Sequence, residues 1–127
     1  MANYSKAAEK NLGDALVLLE KERWDGAGYH AGFTVECTLS ALLEAAGGDP
    51  TSRDSHNLGR LEGSVNSLAA QRRGARKIAV TQTQILQRAG LYRWSPMIRY
   101  EAAGTLSQAT AETWVKAARS FFCSVKP

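Results

Sequence analysis

The sequence predicts an all-α protein, folded as an antiparallel up-and-down bundle of four to five helices. Apolar residues recur at the three- and four-residue spacing of a helix in almost every segment. The sequence shows no sustained alternation of apolar and polar residues and no Asn-Gly or Asp-Gly hairpin turn. Short breaks separate the helical segments, and such short connections make consecutive helices antiparallel neighbours.

The composition is that of a single globular domain. The chain has 127 residues, of which 44% are hydrophobic and 22% charged. No apolar run approaches the roughly 18 residues of a membrane helix, and residues 1–21 form an amphipathic pattern with acidic residues that is neither a secretion nor a mitochondrial signal. We expect a cytoplasmic protein whose cysteines, Cys37 and Cys123, are small core residues in a reducing compartment. There is no CxxC, HExxH or His/Cys cluster, so we expect no metal site and no cofactor.

The first two helices have clear start and stop signals. The first is expected from Asn3 or Ser5 to Arg23, where the sequence Arg-Trp-Asp-Gly breaks it. Asp25 suits the N-cap of the second helix, which ends at the glycine-then-proline stretch 46–50. The inward face of the first helix is expected to consist of Ala8, Leu12, Ala15, Leu16 and Leu19.

The second half of the chain adds the remaining helices. The third begins near Ser55, and the fourth runs from about Ile78 to an end at Ala89 or Trp94. A turn follows over residues 94–104, which contain a proline that a helix interior excludes, and Ser107 can cap the last helix. The inward residues are Leu58, Leu61, Val65 and Leu68 in the third helix, Ile85, Leu86 and Ala89 in the fourth, and Ala111, Trp114, Val115, Ala118, Phe121, Phe122 and Val125 in the last.

Glu36 is an acid on the buried face of the second helix. On a wheel of about 100° per residue, it falls inside the broad apolar arc, between Leu43 and Phe33. An unpaired buried carboxylate costs several kcal/mol or takes up a proton. The chain must therefore supply a partner. The thin polar side of this helix is left to His30, Thr34 and Thr38.

Arg99 is the partner that the sequence favours for Glu36. It lies in a proline-containing turn next to Tyr100, where a guanidinium can stack on a ring and fork onto a carboxylate. The pair serves either a ligand pocket or an internal network that locks helix packing, and both readings stay open. The candidate ligand-binding residues are Glu36, His56, Arg99 and Tyr100. The full set of candidate partners for Glu36 is Arg23, His56, Arg93 and Arg99.

The two histidines differ in position. His30 borders the apolar arc of the second helix, so we expect a satisfied histidine at a helix interface. His56 stands at a helix start, where it either donates to the backbone or contacts a ligand. No Ser-His-Asp or Cys-His constellation can be assembled from the sequence.

The charges are unevenly distributed along the chain. Residues 1–50 hold 4 Lys/Arg and 8 Asp/Glu, whereas residues 51–100 hold 9 and 2. This asymmetry suggests an anionic partner such as RNA, DNA or a nucleotide phosphate. The alternative is a solvated basic face that matches the acidic first half of the protein. The densest basic run supplies the candidate nucleic-acid-binding residues Arg72, Arg73, Arg76 and Lys77.

Four stretches carry a family resemblance. YHAGFTVECTLSALLEAAG (29–47) has a glutamate between small or apolar residues and a leucine-rich end. SHNLGRL (55–61) supplies a histidine and leucine at a helix start, and RWSPMIRYE (93–101) an arginine-tyrosine turn. The last helix follows in its expected place. In order and spacing these stretches resemble the HEPN domain, a helical-bundle family named for nucleotide binding in higher eukaryotes and prokaryotes.

The resemblance implies a bundle that is often dimeric. HEPN proteins commonly act as ribonuclease toxins or defence effectors, or as partners of a small nucleotidyltransferase. The catalytic forms carry an arginine followed, after four to six residues, by a histidine in the later helices. This sequence departs from that pattern because no histidine follows Arg99. Arg23 and His30 have the spacing, but at the junction of the first two helices, where the family does not place it.

These observations lead to three functional hypotheses. The first is a cytoplasmic, homodimeric HEPN-type module without the standard nuclease motif. It would bind a nucleotide or RNA, or dock a nucleotidyltransferase or antitoxin partner in a toxin–antitoxin or defence module. The second is a divergent metal-independent ribonuclease toxin that uses Arg99 with His56 or His30, so whether the protein is an enzyme stays open. The third is a protein–protein adaptor.

Overall fold

Every regular element that the computed structural model describes is helical. The structure describes residues 2–51, 56–71 and 86–127, with the side chains of 69–71 excepted. In these ranges the all-α prediction is confirmed. The α-helices are α1 (Tyr4–Glu20), α2 (Trp24–Ala45), α3 (Leu58–Gln71) and α4 (Gln108–Val125). Residues 86–89 form a further helical turn, and two 3₁₀ helices follow it, η1 (Leu91–Arg93) and η2 (Pro96–Tyr100).

The central element of the fold is α2, which packs against α1, α3, α4 and η2. Its apolar arc is fully buried at Ala27, Ala31, Val35 and Leu39. The predicted inward residues of α1 agree with the structure, since Ala8, Leu12 and Ala15 are buried and Leu16 and Leu19 are half-buried.

The thin polar side of α2 is also buried in the structure. Thr34 and Thr38 are 0% exposed. Their hydroxyls donate to the carbonyls one turn earlier, at 2.9 and 2.7 Å. On the same side, His30 contacts Asn11 of α1. At His30 this side is therefore in contact with α1, and the hydroxyl bonds within α2 satisfy the threonines without solvent.

The turn between α1 and α2 has backbone geometry that the sequence does not reveal. The N–H of Arg23 donates to the carbonyl of Leu18, and that of Glu22 to the carbonyl of Leu19. These bonds form a Schellman motif, so α1 ends at Glu20 and not at Arg23 as predicted. Glu22 holds the left-handed position of the motif, with φ of 60°.

Asp25 is not the N-cap of α2, which corrects a second boundary prediction. Arg23 occupies the N-cap position and makes no side-chain capping bond. The two carboxylate oxygens of Asp25 accept the backbone N–H groups of Gly104 and Leu106, both at 2.7 Å. Asp25 thus ties the segment before α4 to the start of α2, because that segment offers two backbone donors.

The boundary between α2 and α3 follows the predicted signals. After Ala45, Gly47 adopts φ of 89° in the expected glycine ending of α2. The described part of α3 begins at Leu58, where the side-chain oxygen of Asn57 accepts the N–H of Arg60 at 3.0 Å. The predicted start at Ser55 lies outside the described residues.

The fourth predicted helix is described only at its end, since residues 72–85 lie outside the described ranges. The helical turn 86–89 stops at Gly90, whose φ is 73°. The helix therefore ends at Ala89 and does not reach Trp94. Pro96 is the first residue of η2, where a missing N–H does no harm.

The prediction for α4 is confirmed. The hydroxyl of Ser107 accepts the N–H of Thr110 at 3.1 Å. The predicted apolar stripe is buried, except for half-buried Phe122. Cys123 is exposed, so its assignment to the core is wrong, because it lies beside the stripe on the outer side of α4. Cys37 is buried as predicted, and burial raises its pKa to about 11.

Two tryptophans tie the later elements to the rest of the bundle. The indole N–H of Trp114 donates to the carbonyl of Ala89 at 3.0 Å, and that of Trp94 to the carbonyl of Tyr29 at 3.2 Å. Trp94 can approach α2 this closely because residue 32 is glycine. A Cβ on Gly32 would lie 2.1 Å from ring atoms of Trp94. The turn that carries Arg99 is thus anchored on the backbone of α2.

Candidate functional site

Glu36 is buried in the middle of α2, as its wheel position predicts. It is 8% exposed, and its Oε1 lies 2.5 Å from Nδ1 of His56 on the segment before α3. The Nδ1–H of His56 donates, because an ionised carboxylate can only accept. Burial raises the pKa of Glu36, and the bond from His56 opposes this shift without cancelling it.

The pairing of Glu36 with Arg99 that the sequence favours is wrong. His56, another of the four candidates, is the partner that the structure describes. The prediction failed because the segments that carry His56 and Arg99 pack at different positions along α2. The segment before α3 reaches Glu36, whereas the turn that carries Arg99 is fixed two helical turns earlier, at Tyr29.

Arg99 forms a separate cluster with two tyrosines. Its guanidinium donates to the hydroxyl of Tyr29 at 3.3 Å and to the hydroxyl of Tyr100 at 2.6 Å. The guanidinium carbon lies 4.8 Å from the ring centroid of Tyr100. These hydrogen bonds raise the pKa of Arg99 above its ordinary value. The exposed guanidinium, which is always charged, is oriented by the two hydroxyls.

A run of aromatic side chains connects the Arg99 cluster with the His56 side of α2. The rings of Tyr29 and Phe33 meet edge to face at 4.9 Å, and so do those of Phe33 and Trp94. Tyr29, Phe33 and Glu36 share one face of α2 because they are spaced by four and three residues. Arg99 and His56 therefore contact the same face of α2, at points about 10 Å apart along the helix axis.

An open groove lies between the start of α3 and the two 3₁₀ helices; we call it the α3 groove. Its volume is about 390 Å³. The side chain of His56 is 62% exposed here, although Glu36 holds its Nδ1. The residues that line it include His56, Asn57, Tyr92, Trp94, Ser95 and Met97.

A second buried carboxylate, which was not predicted from the sequence, lies beside this groove. Glu62 of α3 is 8% exposed and accepts a hydrogen bond from the hydroxyl of Tyr92. Burial and this bond raise the pKa of Tyr92. A signal was present, because Glu62 follows Leu58 by four residues and precedes Val65 by three, which places it on their inward face.

His30 is the satisfied interface histidine that the sequence predicts. The side-chain N–H of Asn11 donates to the carbonyl of Ala7, so its Oδ1 is left to accept from Nδ1 of His30, at 2.8 Å. Burial lowers the pKa of His30, which favours the neutral ring. His30 therefore links α1 to α2 through its Nδ1.

Three further observations concern the remaining predictions. The basic candidates Arg72, Arg73, Arg76 and Lys77 lie outside the described residues, so their role stays a prediction. In the described ranges, no cluster of three or more His, Cys, Asp or Glu side chains could hold a metal ion. None of the described helices combines the length and apolar character needed to cross a bilayer.

Comparisons with known proteins give one match. A family model described as HEPN domain matches residues 1–126, which is nearly the whole chain. No curated protein and no solved structure matches the sequence.

Proposed function

Because the chain belongs to the HEPN domain family, we propose that it is a nucleotide- or RNA-binding module whose main phosphate contact is Arg99. Membership supports a nucleotide- or RNA-related role in general, since the family is named for nucleotide binding. The residue-level assignment rests on the Arg99 cluster.

The observation that carries the proposal is a guanidinium that two hydroxyls orient and that no carboxylate of the described residues neutralises. The hydroxyls of Tyr29 and Tyr100 hold Arg99 in place but carry no charge that would offset it. Among the residues that the structure describes, no carboxylate forms an ion pair with Arg99. A guanidinium has five N–H donors, so donors remain for a bidentate contact with a phosphate. Its orientation is already set before a ligand arrives.

The surface beside Arg99 suits a nucleic-acid ligand. Tyr100 is 67% exposed and Met97 is 61% exposed, both on the short η2 helix. An exposed aromatic ring next to a cation is the usual arrangement of a base-stacking platform. Tyr100 thus has two roles in the proposal, since its hydroxyl orients Arg99 and its ring offers a stacking surface.

Binding of a labelled single-stranded RNA oligonucleotide, measured by fluorescence anisotropy at several salt concentrations, tests this proposal. Arg99→Ala should weaken binding about tenfold or more and reduce the slope of log K against log salt by about 1. Arg119→Ala is the matched control, because Arg119 is an exposed arginine on α4. Equal affinities of the Arg99→Ala variant and the wild type, or equal losses in the two variants, would overturn the assignment.

A ribonuclease is the second candidate, and the His56–Glu36 pair is what favours it. Glu36 fixes Nδ1 of His56, which leaves Nε2 to take a proton. In such a step Nε2 accepts the ribose 2′-hydroxyl proton, O2′ bonds to phosphorus and the P–O5′ bond breaks. The leaving O5′ takes a proton from the imidazolium, and the products are a 2′,3′-cyclic phosphate and a 5′-hydroxyl.

The separation of Arg99 from His56 favours binding over cleavage. Arg99 contacts α2 at Tyr29 and His56 contacts it at Glu36, about 10 Å apart along the axis. A cleavage site needs both groups on one phosphate. Incubation of mixed RNA with purified protein and no added metal decides between the two. Inert protein supports the binding module, whereas cleavage that is lost in both His56→Ala and Arg99→Ala supports the enzyme.

The assembly and setting of the protein are also part of the proposal. HEPN domains often dimerise, so we place the module in a cytoplasmic homodimer that docks a nucleotidyltransferase or antitoxin. Light scattering on the purified protein tests the dimer. A nucleotidyltransferase or antitoxin gene beside its own gene, followed by co-purification of the two products, tests the partner.

A further inference from the structure

The α3 groove holds polar side chains that neither the phosphate contact nor the core packing uses. We propose that this groove binds a nucleobase, with Asn57 and His56 contacting the edge of the base. The inference rests on the proposed function, because it names the base subsite of the same ligand.

Among the residues that the structure describes, the hydrogen bonds already made in the groove leave three polar groups for a ligand. The Oδ1 of Asn57 accepts the N–H of Arg60, so its amide NH₂ is left to donate. In the tautomer whose Nδ1–H donates to Glu36, Nε2 of His56 is left to accept. The Oγ of Ser95 accepts the N–H of Met97, which leaves the hydroxyl proton. The edge of a nucleobase offers acceptors and donors side by side and complements such a set.

The groove is preorganised from behind by buried acids. Glu36 holds His56, and Glu62 holds the hydroxyl of Tyr92, while both carboxylates are 8% exposed. Asn57 is fixed by its role at the start of α3. Rigid polar groups lose little conformational entropy when a ligand binds. The half-buried ring of Tyr92 and the exposed thioether of Met97 add apolar surface at the edges of the groove.

The position of the groove relative to Arg99 fits a nucleotide. The two sites share one face of α2 and their contacts there are about 10 Å apart. A base in the groove and a phosphate on Arg99 therefore belong to one nucleoside polyphosphate, or to neighbouring nucleotides of a single strand. The shared chemistry is a nucleobase joined to a phosphate.

The Asn57→Ser variant tests ligand binding in the groove without disturbing the fold. Serine caps a helix as well as asparagine does, so α3 keeps its cap while the amide donor is removed. Asn3→Ser is the matched control, since the side-chain oxygen of Asn3 caps α1 in the same way, by accepting the N–H of Lys6. Melting temperatures of both variants establish that they are folded.

The binding experiment uses the four ribonucleosides, tripolyphosphate and ATP as separate probes in isothermal titration calorimetry. We expect at least one nucleoside to bind, with affinity about tenfold lower in Asn57→Ser, the scale of one hydrogen bond. Asn3→Ser should bind as the wild type does. Competition of ATP against a single-stranded RNA distinguishes a free nucleotide from a strand as the source of the base.

The outcomes separate this inference from the proposed function. Absence of nucleoside binding, or equal affinities in the Asn57→Ser and Asn3→Ser variants, overturns the base subsite. Nucleoside binding that depends on Asn57, together with ATP affinity unchanged by Arg99→Ala, supports the subsite and removes the phosphate contact. If tripolyphosphate binds in a way that depends on Arg99 and no nucleoside binds, the phosphate contact is supported and the base subsite is overturned.

Discussion

Gly32→Ala tests how Trp94 positions the candidate site on α2. The new Cβ would lie 2.1 Å from the ring atoms Cε2 and Nε1 of Trp94. An ordinary contact needs at least 3.4 Å, so the indole must shift by more than 1 Å. That shift breaks the hydrogen bond from Nε1 to the carbonyl of Tyr29.

The size of the effect follows from three contributions. Overpacking a core position costs about 1–3 kcal/mol, and this clash with a rigid ring falls at the upper end. Loss of the indole hydrogen bond adds about 1 kcal/mol. The higher helix propensity of alanine returns about 1 kcal/mol. We therefore expect the free energy of unfolding to fall by about 3 kcal/mol.

Urea unfolding followed by circular dichroism measures this change. Gly13→Ala is the control, because Gly13 is an exposed residue of α1 and its new Cβ would meet nothing within 4 Å. That variant should gain about 0.5–1 kcal/mol. A Gly32→Ala variant as stable as the wild type would refute the close approach of Trp94 to α2. The same variant should also bind RNA more weakly, since Trp94 anchors the turn that carries Arg99.

Two further predictions concern charge and backbone strain. Burial raises the pKa of Glu36 in the folded protein above its ordinary value of 4.5. Between the unfolded-state pKa and this higher folded-state pKa, the folded protein binds more protons than the unfolded chain. The free energy of unfolding therefore falls as pH rises through that range. Glu36→Gln should flatten this dependence and leave stability at pH 7 equal or higher in urea titrations. Glu22→Gly should raise the free energy of unfolding by about 0.5–1 kcal/mol, because glycine adopts φ of 60° without the penalty of a side chain.

Each of these predictions has a clear contrary result. A loss of more than about 1 kcal/mol in Glu36→Gln would mean that the ionised carboxylate stabilises the fold on balance. For Glu22, the comparison is Lys21→Gly, one position earlier with φ of −85°. Equal changes in the two variants would show that the left-handed conformation carries no strain.

The residues of α2 show what the sequence could and could not predict. Periodicity identifies which face of a helix is apolar, so it correctly placed Glu36 among buried side chains. It does not tell which segment arrives on that face. Arg99 and His56 could both serve as the basic partner that a buried carboxylate needs. Only the packing of α3 and η2 on α2 distinguishes them. The same limit explains Thr34 and Thr38, whose side of the helix is polar in sequence but buried in the structure.

Local backbone bonds mark a second limit of sequence reasoning. Ser107 was predicted as a cap and caps α4, because its partner lies three residues away. Asp25 was predicted on the same grounds and binds Gly104 and Leu106 instead. A capping residue can be predicted from sequence when no backbone N–H group from a distant segment competes for its side-chain oxygen. That condition depends on the tertiary fold and not on the neighbouring residues.

The two buried glutamates support a role in positioning more than a role in stability. Burying a carboxylate carries a desolvation penalty that one hydrogen bond seldom recovers in full, and the raised pKa of Glu36 has this cause. Each acid holds a side chain of the α3 groove, namely His56 and Tyr92. If the acids served packing alone, apolar residues of similar volume would do better. Their arrangement makes sense when the orientation of the two groove side chains matters, and the proposed base subsite gives that orientation a purpose.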